Sequence, residues 1–199
     1  LISFLGIPDN PDISVILEPL SSNANQVITE GLAAVLLSDG WYGSLSHIEP
    51  SNGYWLRAPN NDVIGQDTLL HIIEDAIPTP QDHEYIIHPN YNLISYVGID
   101  GVSISDALPD DFEENINSII GEGTATIQLG DGWYGSLEAF YRNKGYWVRN
   151  QLEEDTLYFS WEIPEDELLF RDGIVEFKLA KIPKQLSYSQ SSKQAFYFI

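Results

Sequence analysis

The sequence predicts a mainly β fold: a β-rich α+β chain of two tandem modules of about 92 residues, each with one short helix, followed by C-terminal strands. Three observations carry this. Residues 31–57 (GLAAVLLSDGWYGSLSHIEPSNGYWLR) recur as residues 123–149 (GTATIQLGDGWYGSLEAFYRNKGYWVR), with 14 of 27 positions identical at a constant offset of 92. The apolar runs are short and bounded by Gly, Pro, Asn and Ser, as strands are. Each copy also sets Asp-Gly between apolar flanks, where glycine reaches φ > 0 cheaply and a hairpin turns.

Taken in order, residues 1–7 and their match 93–99 are apolar runs of buried-strand length. A polar loop follows each, then a brief apolar segment, 13–17 and 104–108, matched after a one-residue slip. In copy 2, Ser103 or Ser105 is placed to cap one or two helical turns before Pro109. Residues 124–129 alternate as a strand, and Asp131-Gly132 turns the chain back; residues 37–42 repeat the device. The segments 54–57 and 146–149 are strands entered through Gly53 and Gly145. A period this long suits two small domains rather than a solenoid, copy 1 at 1–80 and copy 2 at 84–164. The Pro-rich stretch 78–82 links them. Residues 165–199 have no counterpart; they read as strands at 173–179 and 194–199 and as the start of a further β module.

Composition excludes more than it assigns. Thirty acids against nine bases give a net charge of −21, which argues against nucleic acid and against an anionic membrane surface. Arg57 is the only base in residues 1–141, against 21 acids. A solvated, salt-suited surface is the plain reading of that acidity; Ca2+ held by clustered carboxylates is the sharper one. No apolar run approaches a membrane span and no signal-peptide pattern is present, so direct membrane insertion is not expected. With no cysteine, disulfides and thiol chemistry are excluded. The lack of any methionine, and a start inside a motif, lead us to expect a processed chain or a piece of a longer one.

The repeated aromatics are the candidate ligand-binding residues: Trp41, Tyr42, Trp55 and Arg57 in copy 1, and Trp133, Tyr134, Trp147 and Arg149 in copy 2. Strand alternation puts Tyr54 and Leu56 on one face, Trp55 and Arg57 on the other. The bland account is that such rings fill a small core; the functional one is a stacking platform for sugar rings. Arg57 and Arg149, one strand step beyond a Trp, can lie over the ring or pair with a hairpin acid such as Asp39 or Asp131; structural pairing is the expectation, with a substrate-carboxylate clamp as the minority reading. No histidine is shared between the copies, and no Ser-His-Asp context is present, so no catalytic residue or cofactor is expected. Acids at 110–114 and at Asp9 and Asp12 lack calcium-loop spacing and read as solvated loop acids.

Asn90-Tyr91-Asn92-Leu93-Ile94-Ser95, followed by Gly145-Tyr146-Trp147-Val148, resembles the "GWNLIS … GYWV" modules near the C-terminal ends of large secreted proteins of marine and gliding bacteria. Residues 47–55 keep the "LEPGxGYW" segment more closely than copy 2 does. The tail 189–198 resembles the start of another β module, one found in marine bacterial surface proteins and marine phage structural proteins. The resemblance implies an accessory, non-catalytic β module in a long extracellular, cell-surface or virion-surface protein. Partners are then other domains of the same polypeptide or neighbouring subunits. The expected function is structural or adhesive; a carbohydrate-binding module using the Trp/Tyr strands, with glycans as partner, is the alternative, and an acid-pair hydrolase comes a distant third.

Overall fold

The computed structural model describes residues 1–20, 24–57, 76–80, 82–130 and 132–162. Strands make up 46% of the described residues and helix 11%, so the chain is mainly β. The strands expected at 173–179 and 194–199 lie outside the described residues.

The first half begins with β1 (Ile2–Ser3) and β2 (Gly6–Ile7), then a single helical turn, α1 (Ile13–Ile16). Asp12 starts that turn: its carboxylate accepts from the Ser14 hydroxyl at 2.5 Å and the Ser14 N–H at 2.7 Å. Those two bonds hold the Asp12 carboxyl below its ordinary value. A 3-10 turn at Glu18–Leu20 follows, and Ile13, Ile16, Leu17 and Leu20 face inward. Then come β3 (Gln26–Thr29), β4 (Leu32–Leu37), β5 (Gly40–Gly43), β6 (Gly53–Arg57) and β7 (Ile77–Pro78). Five of these form an antiparallel sheet in the order β1-β6-β3-β4-β5, while β7 returns to pair with β2.

The second half runs β8 (Tyr85–Ile87), β9 (Asn90–Ser95), β10 (Val102–Ser103), α2 (Ile104–Ala107), α3 (Asp110–Glu113) and β11 (Ile116–Ile120). It continues through β12 (Ala125–Leu129), β13 (Gly132–Gly135), β14 (Ala139–Phe140), β15 (Gly145–Asn150) and β16 (Leu157–Phe159). Its sheet has the order β9-β15-β11-β12-β13. Registers match those of the first sheet at an offset of 92: Ile2↔Tyr54 answers Ile94↔Tyr146, Val27↔Leu56 answers Ile119↔Val148, and Val35↔Tyr42 answers Ile127↔Tyr134. The pair β8–β16 joins the beginning and end of this half.

Two details differ from the sequence expectation. The second half carries two short helices, because the chain restarts after Pro109 and α3 buries Phe112 against Phe159. The hairpin turn also sits one residue earlier than Asp-Gly. Leu37 pairs with Gly40, so residues 38–39 form the loop, and Leu129 pairs with Gly132 while Gly130 takes φ 65°.

Among the described residues burial divides into two clusters. One gathers Ile2, Phe4, Ile13, Leu17, Val27, Ile48 and Tyr54; the other gathers Tyr85, Tyr96, Leu108, Ile119, Phe140, Tyr146 and Trp161. Half-buried Leu5 packs against both. The second is richer in rings: Trp161 stands edge-on to Tyr96 at 5.0 Å and to Phe140 at 4.8 Å, an arrangement that satisfies the ring quadrupoles. Among the described residues no helix is long and apolar enough to cross a membrane.

Candidate sheet-face site

Pleating divides the repeated aromatics between two environments. Tyr54 and Tyr146 point inward and are buried. Each hydroxyl binds the main chain of the preceding turn: Glu49 N–H donates to the Tyr54 oxygen at 2.7 Å, and Tyr141 N–H to the Tyr146 oxygen at 2.8 Å. Burial pushes the Tyr54 phenol up to about 12 and moves Tyr146 the same way. Trp41 and Trp133 are also on the inner side, half-buried against the two cores. The Trp133 indole N–H donates to the Glu113 carboxylate, which also accepts from the Ser105 hydroxyl at 2.7 Å.

The other candidates share the outer faces. Tyr42, Trp55 and Tyr134 are 50%, 42% and 55% exposed; Trp147 is half-buried, and Arg57 and Arg149 are exposed. Register sets the order across the first face, Arg57–Gln26–Val35–Tyr42, with Trp55–Ile28–Ala33 beside it. The second face repeats it as Arg149–Ser118–Ile127–Tyr134, extended by Tyr91, with Trp147–Ile120–Ala125 alongside. The strand positions in these rows carry no carboxylate. Ile28, Val35 and Leu37 add exposed aliphatic surface to the first face, as Ile127 and Leu129 do to the second. Among the described residues each face is therefore an apolar, ring-bearing surface whose strand rows carry one arginine.

The pairing of Arg57 with Asp39 is not found among the described residues. Asp39 accepts from the Tyr42 hydroxyl at 2.9 Å instead. Arg149 donates to Asn117 Oδ1 at 3.1 Å and lies over the Tyr91 ring, 5.6 Å from its centre, a cation–π geometry. Among the described residues Arg57 and Arg149 make no ion pair; Asp131 lies outside them. The acids at 110–113 form the first turn of α3, where carboxylates oppose the helix dipole favourably. Among the described residues no group of three or more His, Asp or Glu side chains is placed to hold a metal.

Sequence reasoning missed Tyr91, which β9 brings beside Arg149, and missed the junction where the two sheets meet around Gly53 and Gly145. Only the glycine opening each G-Y-W motif signals that junction. Fold and face together define a mainly antiparallel β chain bearing two like aromatic sheet faces. No protein family, curated protein or solved structure matches the chain.

Proposed function

We propose that the chain is a non-catalytic structural or adhesive β element of a larger extracellular or virion-surface protein, making its contacts through the outer sheet faces. The observation that carries this reading is the exposed run of Ile28, Val35, Leu37, Tyr42 and Trp55, answered by Ile127, Leu129 and Tyr134 on the second sheet. Exposed apolar surface that is contiguous across strands marks contact sites. Two such faces on one chain give avidity without requiring either to bind tightly. The contacts are to other domains of the same polypeptide or to neighbouring subunits.

Carbohydrate binding is the second reading, favoured by the outward indole of Trp55 with Arg57 two residues on, and by Trp147 with Arg149. One experiment separates them. Adsorption of the full chain and of Trp55→Ser/Trp147→Ser is measured on protein-coated and polysaccharide-coated sensor surfaces. Loss on both surfaces with an unchanged melting temperature is expected for adhesion. Loss on polysaccharide alone, with competition by soluble oligosaccharide, assigns glycan binding. Unchanged adsorption of the double variant overturns the assignment of the faces.

A further inference from the structure

Where the two halves meet, the contacts come in reciprocal pairs. Ser3 N–H donates to the Asn143 carbonyl at 3.0 Å, and Ser95 N–H donates to the Ser51 carbonyl at 2.9 Å. The Leu1 amino group donates to Glu122 Oε2 at 3.3 Å, and Leu93 N–H donates to Glu30 Oε2, also at 3.3 Å. In both cases donor and acceptor each shift by 92 positions and the halves exchange roles. That is the contact pattern of an isologous two-fold interface contained within one chain. It covers the edge strands β1 and β9, which would otherwise stand open.

Gly53 and Gly145 face each other at its centre. A Cβ on Gly53 would stand 3.0 Å from Gly145 Cα and 2.9 Å from the Ile94 carbonyl oxygen; one on Gly145 would stand 3.0 Å from Gly53 Cα and 2.9 Å from the Ile2 oxygen. Neither glycine has a positive φ, so close approach of the other half, not backbone conformation, requires them.

We infer that this patch is a self-complementary docking surface whose partner is another copy of the same module, in this chain or in a second one. It is separate from the sheet faces discussed above. Apart from the charge on the Leu1 amino group, the reciprocal contacts use groups that both halves own: main-chain N and C=O, Glu30 or Glu122, and Gly53 or Gly145. These shared groups do not by themselves distinguish the first module from the second. One asymmetry favours like pairing of the first module. Ser95 Oγ donates to the Pro50 carbonyl at 2.6 Å, whereas its counterpart Ser3 Oγ is buried without a hydrogen-bond partner among the described residues. In a pair of two first modules, Ser3 would meet the 50–51 segment as Ser95 does here, and the orphaned hydroxyl would gain its acceptor.

The test uses the full chain. The atoms nearest a Cβ at Gly145 all belong to the first half, so Gly145→Val opens the junction and leaves the second module's own packing intact. By light scattering, wild type is expected at its monomer mass of 22.4 kDa. Gly145→Val is expected to form a concentration-dependent dimer of twice that mass through the freed first modules. Gly53→Val/Gly145→Val, with both patches blocked, stays monomeric. Near-UV circular dichroism verifies that the cores persist, and Gly145→Ala replaces the valine variant if that one fails to fold. A folded Gly145 variant that remains monomeric up to its solubility limit overturns the inference, as does a double variant that dimerises equally well.

Discussion

Tyr54 and Trp55 are neighbours in the chain and opposites in environment, because a pleated strand sends one to the core and the other to solvent. The buried phenol makes a pH prediction. The Tyr54 value is raised to about 12 from an unfolded value of 10.0. Below pH 10 both states are neutral and the stabilisation is complete; as pH rises towards 12 only the unfolded chain releases its proton, so stability falls. The loss for Tyr54 is on the order of 3 kcal/mol. Thermal melts between pH 9 and 12, values spanning that window, should show the decline, and Tyr54→Phe should lessen it, with buried Tyr146 supplying the remainder. Gly135 makes a second prediction. A Cβ there would fall on the Ala125 carbonyl oxygen, which already accepts from Ser136 N–H at 2.8 Å and Leu137 N–H at 3.1 Å. Gly135→Ala is therefore expected to cost about 1–3 kcal/mol in urea unfolding. Gly123→Ala, at φ +73° but in open space, should cost about 1 kcal/mol from backbone conformation alone.

At the scale of elements, the short helices depend on their first residue. Ser103 Oγ accepts from Asp106 N–H at 3.2 Å and donates to its carboxylate at 2.6 Å. Ser103→Ala should lower stability by about 1 kcal/mol and Ser103→Thr, which keeps the hydroxyl, by much less, read from equilibrium denaturation. This cap was legible as one of two candidates, Ser103 and Ser105, since each stands near the start of the segment that Pro109 closes. Its neighbour α3 was not. Four residues holding three acids and one Phe show no period; what makes them helical is Phe112 stacking on Phe159 at 3.9 Å, a contact supplied from β16. The strands of the two sheets were readable because alternation and hairpin turns are local. The pairs β2–β7 and β8–β16 were not, since two or three residues meeting from opposite ends of a module leave no periodic trace. The candidate faces divide the same way. Alternation in G-Y-W separated Tyr from Trp, but in the four-residue strands β5 and β13 nothing local shows that Trp41 turns inward and Tyr42 outward.

At the scale of the whole molecule, the junction escaped the sequence for a physical reason: its bonds run largely through main-chain groups, which every residue possesses. The charge is legible but undirected. Residues 1–141 hold 21 acids and one base, so two strongly acidic halves are packed against each other. Among the described residues the ion pairs are Glu122 with the Leu1 amino group at 3.3 Å and with Lys144 at 3.9 Å, too few to offset that repulsion. Dissolved ions must screen the rest, and at 0.1 M salt the screening length is about 10 Å. The melting temperature should accordingly climb as NaCl is raised from low to physiological strength. Calcium distinguishes screening from binding. Several acids already have local partners: Asp12 takes Ser14, Asp39 takes Tyr42, and Glu113 takes Trp133 and Ser105. Carboxylates engaged singly in this way favour diffuse screening over a coordination shell, which needs several oxygens converging on one ion. Millimolar CaCl2 is therefore expected to raise the melting temperature no more than NaCl of equal ionic strength. A further rise in calcium alone would measure binding to the folded state and place a coordination site among these acids.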